Sequence, residues 1–452
     1  MTQAVRHDSM RARNLGLVLS EVRRSGPVTR AALAEITGLT KTTVSKMVGD
    51  LIEAGMVTET GTLRDGERGR PGTAVSLSGE RVAALGLEIN VDYLSACVVD
   101  LTLTVRLRYT QAVDNRVASP VETLARLQKL IHRAVDEARS AGLVIAGSTL
   151  AVPGPVNGGL LHSAPNLGWH DVRVGDLLVP DGGLPGVEVE NEANLAALGE
   201  LWFGTGHGDF LHVSGEIGIG AGLVVGGALF RGARGLAGEL GHVVVSPDGP
   251  ACRCGSRGCL EQYAGQEALL RAAGLPAPAP RTAPDATAPD LTASGLTVSD
   301  GATPDGATPD GAAPDGAAAI SGAPVAPGAP VAPGGVAELV ARLRDGDGPA
   351  LEACARAGRA LGIALTSATH LLDPGTIVLG GVFAPLFPWI SGPVRDAMTE
   401  RLTAMRHAVP EITVSRLGAD AATLGAAGQV IHRVIADPGL HLAAARTAPA
   451  PR

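Results

Sequence analysis

The sequence predicts an α/β protein with a small helical head, and three observations predict it. From about Arg81 onward, apolar strands alternate with amphipathic helices. Ahead of that, short helices separated by turn residues run into a hairpin. Between about Pro276 and Gly335, a low-complexity stretch interrupts the α/β pattern without replacing it. The chain has 452 residues, too many for one ordinary core. Apolar residues make up 45% and aromatic residues 2%, which leaves Leu, Val, Ile and Ala to fill the cores.

The head comes first. Met10–Ser25 sets Leu15, Val18, Leu19 and Val22 at helical spacing, and Gly26-Pro27 stops it. Thr29 can cap a second helix, Arg30–Thr37, with Ala31, Leu33, Ala34 and Ile36 available for its buried side. Gly38-Leu39-Thr40 makes a tight turn, with Gly38 supplying a positive φ. A third helix, Lys41–Ala54, is expected to bury Val44, Met47, Val48, Leu51 and Ile52 and to end at Gly55. Two strands follow, Met56–Thr60 and Ala74–Leu77, joined by a loop rich in Gly and Arg.

That order is the layout of a winged helix-turn-helix. The exposed face of the third helix offers Thr40, Lys41, Thr42, Thr43, Ser45 and Lys46, donors suited to base edges and phosphates. The wing loop adds Arg64, Arg68 and Arg70, an extended basic segment of the kind that enters minor grooves. Charge points the same way. The net charge is −8, yet residues 1–78 hold eleven Lys/Arg against eight Asp/Glu, leaving −11 for the rest. The expected partner is double-stranded operator DNA; the alternative is a three-helix protein-interaction module.

In the body, Val82–Asn90, Leu94–Asp100 and Leu103–Thr110 read as consecutive strands, Val121–Ser140 as a helix and Val144–Val152 as a further strand. The pentapeptide repeat within "DGATPDGATPDGAAPDGA" and the following "GAPVAPGAPVAPGG" lack large side chains. Such a segment cannot offset its ordering entropy and is expected to be disordered. Helices at Val336–Arg344 and Ala350–Leu372 and a strand at Thr376–Leu379 resume the pattern. The expected division is 1–78 for the head, 79–275 and 336–436 for one split α/β unit, 276–335 for the insertion and 437–452 for a flexible tail. No apolar run reaches the roughly 18 residues of a membrane span, and the N-terminus lacks the apolar region of a signal peptide. A cytoplasmic protein with no membrane partner is expected.

Three of the five cysteines fall within the eight residues Cys252–Cys259, preceded by His242. In a reducing compartment such a cluster reads as metal ligands. His242, Cys252, Cys254 and Cys259 give one nitrogen and three sulfurs, a set fitted to a closed structural Zn2+ site, one per chain. Gly255 and Gly258 must turn the backbone sharply to gather the sulfurs. Reduced cysteines without a metal are the alternative.

With that loop in view, the chain resembles the ROK family (repressors, open reading frames and kinases) from about residue 12 to 435, the insertion excepted. The resemblance rests on "VENEANLAALGE", "SGEIGIGAGLVVGGALFRGARGLAGELGH", "CRCGSRGCLEQYAG" and "IVLGGV". It implies the actin-like (ribonuclease H-like) two-lobed sugar-kinase fold. Members with a winged helix are sugar-responsive regulators; the kinases usually lack one. The resemblance also implies a sugar site at Gly154, Asn166, Asn191, Glu192, Glu239, His242 and Glu261, with Glu192 at the kinase-base position.

The phosphate loops depart from the family pattern. In "LEINVDYL", Glu88 replaces an Asp, Asn90 and Val91 replace glycines, and Asp92 replaces a Thr; Gly215-Glu216-Ile217-Gly218 replaces a Gly-Thr-Gly type loop. Asp92 and Glu216 are expected to face the place of a polyphosphate and repel it, so no ATP is expected. The sequence thus reads as a regulator of carbohydrate genes, a repressor rather than an enzyme, acting as a homodimer or dimer of dimers and answering a sugar or sugar phosphate. The alternative is an ATP-dependent sugar kinase of glucokinase type.

Overall fold

The computed structural model of the chain describes residues 7–63, 72–178, 186–204, 208–276, 334–402, 409–439 and 441. Arg64, Arg68 and Arg70, nearly all of the expected insertion and most of the expected tail lie outside the described residues.

The head consists of α1 (His7–Ser25), β1 (Val28–Thr29), α2 (Arg30–Thr37), α3 (Lys41–Glu53), β2 (Val57–Leu63) and β3 (Gly72–Leu77), with sheet order β1-β3-β2. Thr29 Oγ1 accepts from Ala32 N and Thr40 Oγ1 from Thr43 N, so α2 and α3 both start on a side-chain cap. Gly38 closes α2 at φ 69°, in the left-handed region. Three expected core residues are not buried: Ala31 is exposed, Ile36 is 49% exposed and Ile52 36%. The eight-residue α2 buries only Leu33 and Ala34, with Ala32 half-buried against the same cluster, and leaves Ala31, Glu35 and Ile36 at the surface. Ile52 sits beside buried Leu51 and turns about 100° away from it.

The first lobe holds β4 (Val82–Ile89), β5 (Tyr93–Asp100), β6 (Val105–Ala112), α4 (Pro120–Ser140), β7 (Val144–Val152), β8 (Val156–Asn157), β9 (Leu160–Ala164), β10 (Trp169–Arg173), α5 (Val174–Leu177) and β11 (Val187–Asn191). Its main sheet runs β11-β7-β4-β5-β6, antiparallel at β4/β5 and β5/β6, parallel at β4/β7 and β7/β11. The third strand starts at Val105 rather than Leu103. Leu103 takes φ 64° in a turn held by Asp100 Oδ1, which accepts from Thr102 N and Thr104 N.

The second lobe repeats the plan with α6 (Glu192–Phe203), β12 (Phe210–Gly215), β13 (Ile219–Val225), β14 (Ala228–Phe230), α7 (Glu261–Ala264), α8 (Gln266–Ala272), α9 (Gly334–Arg344), α10 (Gly348–Leu372), β15 (Thr376–Gly381), α11 (Phe383–Leu402), β16 (Glu411–Val414) and α12 (Ala421–Ala436). Its sheet runs β14-β13-β12-β15-β16, again with two antiparallel and two parallel pairings. In each lobe three strands meander outward and two parallel strands are added on the other side of the first. This duplicated order is the actin-like plan. α9 begins at Gly334, two residues ahead of the expected start.

All eight residues of β4 are buried, as a central strand covered on both faces must be. Leu85 and Leu87 pack with α4, whereas Ala84 joins a cluster with Leu424, Val430 and Ile431 of α12. Leu15, Leu19, Val44 and Leu51 of the head belong to that same cluster. The head therefore shares its core with α12 and the first sheet.

Candidate functional site

The cysteine loop is built by two isolated bridges, Val244↔Cys259 and Ala251↔Arg257. Gly258 makes its corner at φ 67°, and a Cβ there would overlap the Ser246 carbonyl. The ligand atoms of His242, Cys252, Cys254 and Cys259 all lie within 4.8 Å of one another. Cys252 Sγ is 3.8 Å from His242 Nδ1, and Cys254 Sγ is 3.7 Å from Cys259 Sγ. A tetrahedral site with metal–sulfur bonds of about 2.3 Å has sulfur–sulfur edges of about 3.8 Å. The four side chains fit a metal ion and leave no open position on it.

His242 connects this loop to the neighbouring acids. Its Nδ1 faces Cys252, while Nε2 lies 3.9 Å from Glu239. Burial raises the Glu239 and Glu261 carboxyls; His242 pulls both down, and Glu261 pushes Glu239 further up. Glu261 Oε2 accepts from Ile219 N at 3.4 Å. A Cβ on Gly218 would stand 2.5 Å from Glu261 Oε2 and 3.6 Å from Asn166 Nδ2, so the glycine leaves those two groups a shared space. Arg253, within the cysteine loop, donates to Asn166 Oδ1 at 2.7 Å and turns the amide's N–H groups the other way. Arg253 escaped the sequence reading because its partner lies 87 residues away.

Asn191 caps α6: its Oδ1 accepts from Ala193 N and Asn194 N, and its Nδ2 donates to the Gly154 carbonyl at 2.9 Å. Glu192, the first residue of α6, belongs to a different space, a narrow cleft lined by Glu88, Tyr93, Glu192, Ser214, Glu216 and the start of α12. Three carboxyls thus converge there. Burial pushes Glu88 up to about 7, against hydrogen bonds from Tyr93, Asn90 and Thr423. Burial, then the Glu88 charge, pushes Glu192 up to about 8. Tyr93 Oη donates to Glu88 Oε1 at 2.8 Å, and Thr423 Oγ1 to Oε2 at 3.2 Å.

Asp92 does not line this cleft. It stands in the turn between β4 and β5, where its carbonyl accepts from Val113 N. Tyr93, the next residue, points inward instead. Sequence reasoning overlooked Tyr93 and Ser214; an aromatic hydroxyl directly after the altered phosphate loop was the available signal for the first.

On the head, Thr40, Lys41, Thr42, Ser45 and Lys46 are exposed and Thr43 is half-buried. Thr40 and Thr43 join their hydroxyls at 2.8 Å, so both also order the start of α3. Among the described residues, no helix is long and apolar enough to cross a membrane.

With this geometry in hand, known proteins supply the context. The sequence pattern of the ROK family matches residues 84–301 and 318–433, and that of the MarR family matches residues 16–67. The xylose repressor of Bacillus subtilis (strain 168) is 34% identical over 261 residues, covering 57% of this chain and 67% of that one. A crystal structure of a ROK family transcriptional regulator, described as a homolog of the E. coli MLC protein, superimposes with TM-score 0.70 at 23% identity, over 97% of this chain and 100% of that one. That likeness extends the shared fold through the head. A ROK family glucokinase from Streptomyces griseus, in complex with glucose and AMPPNP, superimposes with TM-score 0.55 at 25% identity, over 77% of this chain and 98% of that one. The repeated sheet order, the family pattern across both lobes and the similarity to these proteins agree: the chain belongs to the ROK family.

Proposed function

We propose that the protein is a sugar-responsive DNA-binding repressor of carbohydrate genes whose kinase-like lobes sense a ligand instead of phosphorylating it. The observation that carries this reading is the acidic cleft. A kinase needs donors for the β- and γ-phosphates; here Glu88, Glu192 and Glu216 line that space. Both oxygens of Glu88 accept hydroxyls from Tyr93 and Thr423, which hold the carboxyl in place, and once ionised it has no donor for a phosphate. A polyphosphate would be repelled by each of these carboxyls that is ionised, so its binding would weaken as pH rises through 7 and 8.

The sugar site is assigned to Gly154, Asn166, Asn191, Glu239, His242 and Glu261, with Glu192 standing in the acidic cleft beside it, and the DNA face to Thr40, Lys41, Thr42, Thr43, Ser45 and Lys46 with Arg68 and Arg70 of the wing. Carboxylates and amides grouped around a glycine-lined space suit adjacent hydroxyls. The ion at His242, Cys252, Cys254 and Cys259 is taken to be Zn2+, one per chain, given its one nitrogen and three sulfurs. It would orient His242 toward Glu239 and supply no reaction step. A cytoplasmic homodimer would place two heads on a palindromic operator.

The rival reading is a sugar kinase, favoured by the likeness to the glucokinase and by a carboxyl, Glu192, at the base position. One experiment tests both. The full-length protein is titrated with D-xylose, D-glucose and their phosphates by calorimetry, and the same mixtures with labelled ATP are assayed for phosphorylated sugar. Sugar binding without turnover is expected; sugar-dependent turnover overturns the repressor reading.

A further inference from the structure

Helix α12 is held to α6 by contacts that leave no slack. A Cβ on Gly425 would overlap the Leu195 carbonyl, and one on Gly199 would overlap the Ala421 carbonyl. α6 begins at the ligand lobes, with Asn191 as its N-cap and Glu192 as its first residue. At its far end Trp202 stacks on His432 of α12, ring centroids 3.9 Å apart and planes 20° from parallel. His432 in turn meets the head: its Nε2 is in hydrogen-bonding contact with the Arg23 guanidinium of α1. An arginine only donates, so Nε2 accepts and the imidazole is neutral. Burial and then the Arg23 charge hold His432 down at about 3, which keeps that acceptor available. Nearby, Gly16 of α1 lies against the Ala436 carbonyl at the end of α12, a place with no room for a Cβ. At the other end of α12, Thr423 donates to Glu88 in the acidic cleft.

We propose that α6 and α12 act as one rigid lever carrying the state of the cleft to α1, and that the Trp202–His432–Arg23 stack is the joint through which the head responds. This rests on the reading above, that a sugar acts on the head. Packed interfaces of this kind switch between discrete arrangements instead of deforming continuously, which a two-state regulator requires. The three residues are positioning residues: none belongs to the sugar set or the DNA face. Trp202 lies eleven residues past Asn191, about 16 Å along the helix.

The test compares the full-length protein with His432→Phe, which keeps a ring against Trp202 and removes the acceptor. Affinity for a duplex selected by the protein from a random pool is measured by fluorescence anisotropy, with and without saturating D-xylose. D-xylose binding is measured separately by calorimetry. The unmodified protein is expected to show a ~5–150-fold change in duplex affinity. His432→Phe should bind duplex and sugar singly, with the change reduced to under about threefold. His432→Gln, which restores an acceptor, should recover part of it. Arg23→Met offers an independent break should His432→Phe not fold. Full coupling in both Arg23→Met and His432→Phe overturns the proposal.

If the unmodified protein binds duplex yet ignores every sugar, the sugar reading fails and the lever is judged without a ligand. Amide exchange across α1 should then respond to Glu192→Gln in the unmodified background and stay unchanged when His432→Phe is also present. Equal responses in both backgrounds sink the lever.

Discussion

Asn191 and Gly154 are joined by a 2.9 Å hydrogen bond from the asparagine amide to the glycine carbonyl. The same side chain caps α6, so Asn191 ties the loop after β7 to the helix that links the lobes. One amide N–H remains for a ligand. Asn191→Ala should cost about 1 kcal/mol for the lost cap, with a further loss for the stranded Gly154 carbonyl. A melt showing no change in stability would contradict the capping role.

The cysteine loop predicts a metal dependence. Purified protein should carry one zinc per chain by elemental analysis, and Cys259→Ala should abolish it. Removing the ion should also weaken sugar binding, because His242 loses the partner that orients its ring toward Glu239. Full metal content in Cys259→Ala would refute the ligand set.

Glu88 and Glu192 predict a pH dependence. Both carboxyls titrate above their ordinary range, at about 7 and about 8, so the folded state binds more protons than the unfolded one. Their contribution to stability is full below about pH 4.5 and is lost as pH rises through 7 to 8. Urea unfolding should show stability falling between about pH 4.5 and 8, and Glu88→Gln should flatten that slope. An unchanged slope in the variant would show that Glu88 is already ionised.

Lys46 is exposed on α3, and a DNA contact there would be electrostatic. Lys46→Ala should weaken duplex binding across sequences and reduce the slope of log affinity against log salt by about 1. Thermal stability should be unaffected, since Lys46 belongs to no apolar cluster. Duplex binding equal to that of the unmodified protein, at every salt concentration, would remove Lys46 from the DNA face.

Glu239→Ala should leave duplex binding intact and remove the response to sugar. Loss of duplex binding by this variant would make Glu239 a structural residue.

Interactions that span a few residues were mostly legible in the amino-acid sequence, the Asp100–Thr104 turn being an exception. Helical spacing announced α1 and α3, Thr29 announced the cap of α2, and the cysteine spacing announced a metal loop, because each depends on neighbours within one or two turns or one short loop. Asp92 and Tyr93 show the limit: which of two adjacent residues enters the cleft depends on the face to which β5 is turned. The convergence of Glu88, Glu192 and Glu216 joins three separate segments, and Thr423 reaches Glu88 across 335 residues. Only the packing of α12 between head and lobes decided those contacts, since no local pattern records which distant backbone a glycine such as Gly425 will touch.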